Sequence, residues 1–477
     1  MSLTPETFDS NARDALEDRT LRSALRQATS LFGERRSGAI AEVPNWEELR
    51  SHARAIKDDV LANLDRYLEE FTERAAAVGA QIHWARDADE ANSVIVEILR
   101  DANASTVVKS KSMTTEEIHL NSALEAAGIT ADETDLGEWI VQLAEETPSH
   151  IIVPAIHKTK EQIAELLEEQ IGMPATDDPK EMTAAARVVL RERFAKADAG
   201  ISGVNFAIAE TGSILILENE GNARFTTSLP RLHIAVMGIE KILPRFADLE
   251  VFLRLLPRSG TGQHLTSYQS VITGVKTGGG GEGPEEFHIV LLDNGRSKML
   301  ELPITRQSLA CIRCGACLNA CPVYQVVGGH AYGSVYPGPI GAVITPQLQT
   351  LRQASKLPFA SSLCGACLEV CPVKIDIPSL LLHLRGQVAS GREGAPPHRR
   401  ERFVMRVWAW FMSGPRRYRM AMRVARVMQR LFISSGKPNF LGRALGPLAG
   451  PLLAWTKERD LRPLARGSFR QWWGRSQ

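Results

Sequence analysis

Amphipathic helices dominate the pattern of the first hundred residues. Apolar residues recur three and four positions apart, with charged residues between them, in LRSALRQATSLFG and in WEELRSHARAIKDDVLANLDRYLEEFTERAAAVG. A short apolar run, QIHWA, is typical of a strand, and DADEANSVIVEILRDA is typical of one more helix. We therefore predict an N-terminal helical region over residues 1–100.

Beyond residue 100, short apolar runs alternate with amphipathic stretches. In chain order they predict the strand STVVKSKS, the helix MTTEEIHLNSALEAAG, the strand HIIVPAI, the hairpin FAIAETGSILILEN, and the strand and helix of LHIAVMGIEKI. Strands that alternate with helices favour an α/β domain with a largely parallel sheet. We place this domain over residues 101–300.

Polar residues cluster at the predicted strand ends, where open α/β sheets bind their ligands. They are Lys109, Lys111, Glu116, Glu117, His119, Asp135, Glu138, Glu210 and Asn222. One interpretation is an anion-binding pocket in which the lysines face a phosphate or a carboxylate, with Glu210 as a candidate acid or base. The other is ordinary turn chemistry, since turns favour polar residues in any protein. His119 alone is more readily explained as a surface histidine than as a ligand. No catalytic residue is assigned.

All seven cysteines fall between residues 311 and 371. CIRCGACLNACP has the spacing C-x2-C-x2-C-x3-C-P, which holds a cubane iron–sulfur cluster in bacterial ferredoxins. CGACLEVCP repeats the spacing without its first cysteine. An odd number of cysteines argues against a disulfide framework, and structural zinc sites use C-x2-C pairs. The predicted iron ligands are Cys311, Cys314, Cys317, Cys321, Cys364, Cys367 and Cys371.

The ligands are expected to cross between the two runs. In two-cluster ferredoxins the fourth cysteine of each run ligates the other cluster. The first predicted 4Fe–4S cluster then has the ligands Cys311, Cys314, Cys317 and Cys371. The second has Cys321, Cys364 and Cys367, and its fourth ligand is unassigned. Ser361 stands where an eighth cysteine would complete the second run.

The two runs are far apart, which favours a helical ferredoxin domain with an intervening loop over a compact repeat. We place it over residues 301–391. TLRQASKLPFA and IPSLLLHLRGQVASG are read as helices. In the intervening loop, His330, Tyr332 and Tyr336 either cover a cluster or pack in an ordinary way.

The remaining segment, 392–477, differs in charge. It holds nineteen Lys and Arg against four Asp and Glu, whereas the whole chain has a net charge of +1. Five of the eight tryptophans lie here: Trp408, Trp410, Trp455, Trp472 and Trp473. Such a basic helical region could meet nucleic acid, an anionic membrane surface or an acidic protein. We favour a contact with the acidic remainder of the chain or with a partner protein, and expect no nucleic acid.

Other fingerprints are missing from the sequence. No G-x-G-x-x-G follows a predicted strand, and TGGGGEGPEE at 277–286 lacks the Lys-Ser/Thr of a phosphate-binding loop, so we predict a flexible connection there. No apolar run is long enough to span a membrane, and no signal sequence begins the chain. Because cluster thiols must stay reduced, we expect a cytoplasmic protein.

The chain resembles the lactate utilization protein B family. The resemblance rests on VVKSKSMTTEEIHLN, ETDLGEWIVQLAEETPSHIIVPAIHKTKEQIAELL, AIAETGSILILENEGNARF, CIRCGACLNACPVYQ and LCGACLEVCPVKIDIP, and it covers residues 10 to 470. It implies a lactate-utilization (LUD) domain with a fold similar to that of sugar-phosphate isomerases and CoA transferases (NagB/RpiA/CoA-transferase-like), followed by a helical two-cluster ferredoxin domain. The resemblance also implies that the missing eighth cysteine is usual for this family.

The resemblance also implies a function. We expect an iron–sulfur electron-transfer protein in the oxidation of L-lactate to pyruvate, acting with a cysteine-rich protein, a second LUD-domain protein and an electron acceptor outside this chain. It is expected to be a subunit of the lactate-oxidising system rather than a self-sufficient enzyme. The alternative is that the α/β domain is itself an enzyme on a small carboxylate or phosphate ester, through Lys109 or Glu210, with the clusters as accessory redox centres.

Overall fold

The computed structural model describes residues 4–277, 283–395, 399–434, 437–438 and 467–476, together with 456, 459, 462, 464 and 465. The chain forms two compact units, Met1–Pro396 and Pro397–Gln477. Residues 278–282 of the glycine-rich loop expected at 277–286, and Trp455 of the basic region, lie outside the described residues.

Four helices open the first unit. They are α1 (Phe8–Glu17), α2 (Arg19–Ala41), α3 (Trp46–Ala62) and α4 (Leu64–Ala77), after a 3₁₀ turn at Pro5–Thr7. The sequence pattern predicted one helix across α3 and α4, but the helix breaks at Asn63, whose backbone is not helical (φ −130°). The Asn63 amide donates to the carbonyl and carboxylate of Asp59. Local bonds of this kind compete with helix continuation.

The first unit contains two sheets. Its strands are β1 (Ala80–Ala85), β2 (Thr106–Lys109), β3 (Thr130–Glu133), β4 (Ala199–Gly203), β5 (Phe206–Ile208), β6 (Ser213–Glu218), β7 (Leu232–Gly238), β8 (Ile242–Leu243), β9 (Tyr268–Ile272) and β10 (Glu286–Leu292). Six are all parallel in the order β1-β10-β7-β4-β2-β3. The other four form a mixed sheet in the order β8-β5-β6-β9, in which β5 and β6 are the predicted hairpin. The parallel sheet with its helices confirms the α/β class.

Both faces of the parallel sheet are buried, as parallel sheets require. Every residue of β7 is buried. On one face Met237 packs in a cluster with Phe71 of α4, and on the other Val236 packs in a cluster with Leu99. The helices that follow α4 are α5 (Ala88–Asp101), α6 (Met113–Glu117), α7 (Leu120–Ala126), α8 (Leu136–Leu143), α9 (Lys160–Ile171), α10 (Pro179–Lys196), α11 (Asn222–Ser228), α12 (Leu249–Gly260) and α13 (Arg296–Leu300).

Three predicted elements of this region differ in the structure. The run HIIVPAI is not a strand but a series of turns. The helix expected after β7 is a 3₁₀ turn, Ile239–Lys241, followed at once by β8. A single helix expected over MTTEEIHLNSALEAAG is divided into α6 and α7 by His119, which has a left-handed backbone (φ 52°).

The cysteine-bearing segment consists of short helices and turns. Its helices are α14 (Pro303–Arg306), α15 (Ala316–Asn319), α16 (Tyr324–Val327), α17 (Gly338–Leu348), α18 (Ala366–Val370) and α19 (Ile377–Ser390). The predicted helix at TLRQASKLPFA is wrong, since that run forms turns and a 3₁₀ turn at Leu357–Phe359, whereas α17 lies in the stretch expected to be a loop. Leu318 and Leu380 pack in one core with Leu25 of α2 and Phe252 of α12.

The second unit contains α20 (Arg399–Met412), α21 (Pro415–Phe432), a short antiparallel pair β11 (Ile433–Ser434) and β12 (Lys437–Pro438), and α22 (Phe469–Ser476). Trp408, Trp410, Trp472 and Trp473 are exposed in these helices. Among the described residues, no helix has both the length and the apolar content that crossing a membrane requires.

Candidate iron–sulfur centre and adjoining cavity

Four of the seven cysteines line one small cavity. They are Cys311, Cys314, Cys317 and Cys371, the set predicted for the first cluster. Cys371 comes from the second run, some fifty residues further along the chain, and is 7% exposed. Burial raises the pKa of Cys314, and Cys371 is the neighbouring cysteine that raises it most. We call these four residues the first cysteine site.

The other three cysteines form a second group, the second cysteine site: Cys321, Cys364 and Cys367. Burial first, and then the neighbours Cys321 and Cys364, together raise the pKa of Cys367 to about 12. Cys321 and Cys367 are buried, but Cys364 is exposed. The second cysteine site therefore reaches the surface, whereas the first lies mostly inside.

The two cysteine loops have the same backbone conformation. Arg313 and Gly315 have φ values of 61° and 73°, and Leu363 and Gly365, at the matching positions, have φ values of 55° and 86°. In the first loop the Arg313 amide donates to the Cys311 sulfur at 3.4 Å. In the second the Leu363 amide donates to the Ser361 hydroxyl at 3.1 Å. Ser361 thus takes the position in the second loop that Cys311 takes in the first.

Positive charges and unused donors surround the first cysteine site. Arg50 of α3 donates from Nε and Nη2 to the carbonyl oxygen of Cys371, at 3.0 and 2.8 Å. The Nε of Arg36 is buried without a hydrogen-bond partner among the described residues, and so is the hydroxyl of Tyr332. Burial raises the pKa of Tyr332, and nearby Cys321 and Cys317 raise it further.

These features fit a cluster. Sulfide and thiolate sulfurs accept hydrogen bonds, and such bonds tune iron–sulfur centres. Orphaned buried donors are costly unless something accepts from them. The Tyr332 ring itself packs edge to face against Phe8, with ring centroids 5.3 Å apart.

A larger cavity of about 260 Å³ opens at the carboxyl edge of the parallel sheet. We call it the sheet-edge cavity. Residues just after β2, β3, β4 and β7 line it, including Lys111, Asp135, Val204 and Lys241. Arg313, from the first cysteine loop, lines it too. The cavity therefore lies where open parallel sheets bind ligands, with the cysteine segment as one wall.

Of the nine polar residues predicted at strand ends, three line the sheet-edge cavity: Lys111, Asp135 and Asn222. Lys109 does not, because it is buried in a salt bridge with Glu133 at 2.6 Å and with Glu116 at 3.0 Å. Burial opposes protonation of Lys109, but these two carboxylates outweigh it and raise its pKa.

The other predicted polar residues have structural contacts. Glu117 accepts from Arg296 and from the Tyr336 hydroxyl. Glu210 is exposed and accepts from the Phe246 amide at 2.8 Å. Glu138 is buried beside Asp135 in the first turn of α8, and His119 is exposed. His330 donates from Nε2 to the carbonyl oxygen of Thr147 at 2.6 Å.

Sequence reasoning missed four charged residues of the cavity. Lys241 and Arg313 are cationic, and Glu218 and Glu220 are acidic. Burial, together with Asp135, raises the pKa of Glu220 to about 7. Only Arg313 had a visible signal, its position between two cysteines. Nothing in the pattern of Lys241 distinguishes it from a helix-surface lysine.

The turns formed by HIIVPAI, which was predicted to be a strand, join the sheet edge to the cysteine-bearing segment. The amides of Ile152 and Val153 donate to Nδ1 of His150, so its Nε2 carries the proton and donates to Asn319 of α15 at 3.2 Å. The Asn319 amide in turn donates to the Gly260 carbonyl at 3.2 Å. Burial lowers the pKa of His150 to about 3, so this contact is between neutral groups.

Comparison with known proteins agrees with this arrangement. Three family models match the chain: the LUD domain at residues 68–292, a 4Fe-4S dicluster domain at 307–375, and the C-terminal model of lactate utilisation protein B at 384–477. Lactate utilization protein B of Bacillus licheniformis is 44% identical over 99% of this chain and 97% of that protein. The chain belongs to the lactate utilization protein B family. Its cysteine-bearing segment matches a domain that holds two 4Fe-4S clusters.

Other relatives match over similar lengths. Lactate utilization protein B of Bacillus pumilus is 43% identical over 100% of this chain and 99% of that protein. The uncharacterized electron transport protein YkgF of Escherichia coli is 43% identical over 98% of this chain and 97% of that protein. A solved DUF162 family protein from Deinococcus radiodurans aligns with 48% of this chain and 98% of its own at 16% identity, with a TM-score of 0.27, which is too low to assign a fold.

Proposed function

We propose that this chain carries electrons in the oxidation of L-lactate to pyruvate, on two 4Fe–4S clusters. Relatives across nearly the full length carry the name lactate utilization protein B, and another is named an electron transport protein. We further propose that it works with a cysteine-rich protein and a second LUD-domain protein. Because the thiols must stay reduced, the proposed compartment is the cytoplasm.

The division of the cysteines into two groups supports this proposal more than any other observation. Four cysteines line one cavity and three lie together outside it. We therefore assign one cluster to the first cysteine site, which mixes both runs, and one to the second. Each cluster, when bound, takes up and releases one electron.

The protein residues have separable tasks in this proposal. The buried first cysteine site excludes water from its sulfurs, and Arg50 fixes the turn that carries Cys371. The exposed Cys364 gives the second cysteine site a short path to a partner protein. Lactate oxidation releases two electrons, so a partner or cofactor outside this chain divides the pair.

The same proposal covers the organisation of the chain. We retain the boundaries 1–100, 101–300, 301–391 and 392–477 for the helical, α/β, ferredoxin and basic regions. A NagB/RpiA/CoA-transferase-like fold for the α/β region is supported by its six parallel strands, flanked by helices on both faces. The LUD model begins at residue 68, so α4 and β1 are matched together with the strands beyond residue 100.

Ligand substitution tests the proposal. The anaerobically purified chain should contain about eight iron atoms, or about seven if the second site holds a 3Fe cluster. Cys371→Ser should remove the electron paramagnetic resonance signal of the cluster held by Cys311, and Cys321→Ser should remove that of the cluster held by Cys364 and Cys367. About four iron atoms per wild-type chain would refute two clusters. Loss of each run's own cluster in its own variant would refute the crossed assignment.

A further inference from the structure

Two buried cations of the sheet-edge cavity, Lys241 and Arg313, have hydrogen-bond donors without an acceptor among the described residues. Lys241 is 8% exposed and makes no hydrogen bond or salt bridge with any described residue. Arg313 has a buried Nη1 without a hydrogen-bond partner, and its closest carboxylate contact, Nη2 to Glu240, measures 3.5 Å. Because an unsatisfied buried donor is costly, the Lys241 ammonium and the Arg313 Nη1 favour an anionic acceptor in this cavity.

The cavity lining also contains acids, and its third cation, Lys111, already donates to the carbonyl oxygen of Ile152 at 2.6 Å. The acids are Asp135, Glu218 and Glu220. Their carboxylates already accept backbone hydrogen bonds, Glu218 from Ala223 and Glu220 from Leu136. Three acids repel a doubly charged phosphate, but they can accept a hydrogen bond from a hydroxyl group. The lining therefore favours a singly charged ligand that also carries a hydroxyl group.

The cavity is adjacent to the first cysteine site. Ile151 and Arg313 line both. Gly260 lines the sheet-edge cavity, and a Cβ at this position would lie 2.8 Å from the carbonyl oxygen of Cys314. A ligand in the cavity is thus separated from the cysteine sulfurs by a single layer of side chains and backbone.

We infer that the sheet-edge cavity binds a small hydroxy- or oxo-carboxylate, with its carboxylate on Lys241 and Arg313 and its oxygen substituent toward the acidic lining. The volume of about 260 Å³ suits a molecule of metabolite size, below the range of drug-sized pockets. The choice of lactate and pyruvate within this class rests on the proposed function. In the alternative in which the α/β domain is itself an enzyme, this cavity replaces Lys109 and Glu210 as the candidate active site.

The test is calorimetric titration of the cluster-loaded chain with L-lactate, pyruvate and, for contrast, inorganic phosphate. We expect lactate or pyruvate to bind and phosphate to bind more weakly. Lys241→Gln should weaken carboxylate binding about tenfold or more, since a charge-assisted hydrogen bond is lost, and Lys241→Arg should restore part of it. Lys196→Gln, an exposed lysine on α10, is the matched control and should bind as the wild type does.

Stability provides a second measurement. If Lys241 serves a ligand rather than the fold, Lys241→Gln should unfold at the same urea concentration as the wild type or a higher one, because it removes a buried unpaired charge. Equal carboxylate affinity in Lys241→Gln and wild type, or tighter binding of phosphate, would overturn the inference. Absence of carboxylate binding in a chain with full iron content would also overturn it while leaving the electron-transfer proposal standing. Absence of iron would count against that proposal instead.

Discussion

A buried ionic network joins the sheet edge to the cysteine-bearing segment, and its central residue is Arg296. Nη1 and Nη2 donate to the two oxygens of Glu117 at 2.8 and 2.9 Å, and Nε donates to Glu240 at 2.6 Å. The Arg296 side chain is 1% exposed. The hydroxyl of Tyr336, between the two cysteine runs, donates to Glu117 at 2.6 Å. Replacing Arg296 with methionine would leave two carboxylates buried without their main cation.

The magnitude follows from the burial of this network. Removing one partner of a buried ion pair costs about 3–5 kcal/mol. Glu117 keeps its bond from Tyr336, and Glu240 keeps Arg313 at 3.5 Å, so we expect the lower part of that range. The pKa of Glu240 gives an independent figure. Burial opposes its ionisation, but Arg296 and then Arg313 outweigh burial and lower the pKa to about 2. A fall of about 2.5 units corresponds to about 3 kcal/mol.

The sign of the pH dependence follows from the lowered pKa. The stability that Glu240 contributes is fully present above its unfolded-state pKa of about 4.5 and is lost as the pH falls toward its folded-state pKa of about 2. In Arg296→Met the folded-state pKa should rise, so this part of the acid dependence should largely disappear. At neutral pH the variant should be less stable throughout.

Urea unfolding, followed by circular dichroism and by the visible absorption of the clusters, measures the effect. Arg296→Met should lower the midpoint by about 1 M, taking a slope of about 3 kcal/mol/M. The triple change Glu117→Gln, Arg296→Met and Glu240→Gln should recover most of the loss, because no unpaired charge remains. Arg86→Met, in an exposed pair with Glu90, is the control and should change stability by less than about 1 kcal/mol. A midpoint for Arg296→Met equal to that of the control would refute the reasoning.

Three further changes test the cysteine sites. Arg50→Met removes two charged donors from the Cys371 carbonyl oxygen, and each of these hydrogen bonds contributes at most about 1.5–3 kcal/mol. Iron should therefore be lost faster from the first cysteine site, with the second cysteine site as the internal control. Equal loss of iron from both sites, followed by paramagnetic resonance, would contradict this. Ser361→Cys supplies a thiolate where a hydroxyl now accepts a hydrogen bond, and should give a second cluster with a higher iron content and a slower loss of iron. If the cluster is intact and lactate-dependent electron transfer is abolished, the iron beside residue 361 does more than relay electrons. Gly260→Ala should destabilise the fold, since its Cβ would lie 2.8 Å from the carbonyl oxygen of Cys314. Gly38→Ala in α2, where a Cβ would have nothing within 4 Å, is the control and should stabilise the fold by up to about 1 kcal/mol. Equal unfolding midpoints for the two variants would show that the backbone at Gly260 shifts without cost.

Local patterns were sufficient for elements that local chemistry determines. The hairpin of β5 and β6 follows from alternation around Glu210-Thr211-Gly212, and β7 and β10 follow from apolar runs bounded by turn residues. The run HIIVPAI shows where this reasoning fails. Ile152 of this run lies beside Gly315 of the first cysteine loop and not in a sheet, and periodicity does not distinguish these two kinds of burial.

The sheet-edge cavity shows a second kind of failure. Lys241 follows β7 and Arg313 belongs to the cysteine segment, and both reach one cavity only because that segment packs across the end of the sheet. No spacing in the sequence encodes this packing. The nine strand-end residues were sought within one domain, so the search gave Lys111, Asp135 and Asn222 but missed the cation supplied from the other region.

Charge balance connects these residues to the first cysteine site. Lys57, Lys241, Arg296 and Arg313 are buried near one another, and among the described residues the buried carboxylates that interact with them are Glu117 and Glu240. Lys57, Lys241 and Arg313 all interact electrostatically with Cys311. Four thiolates outweigh the positive charge of an iron–sulfur core, so these cations also stabilise a bound cluster. The same positive charge favours the more negative, reduced state and should raise the potential of a cluster bound at the first cysteine site.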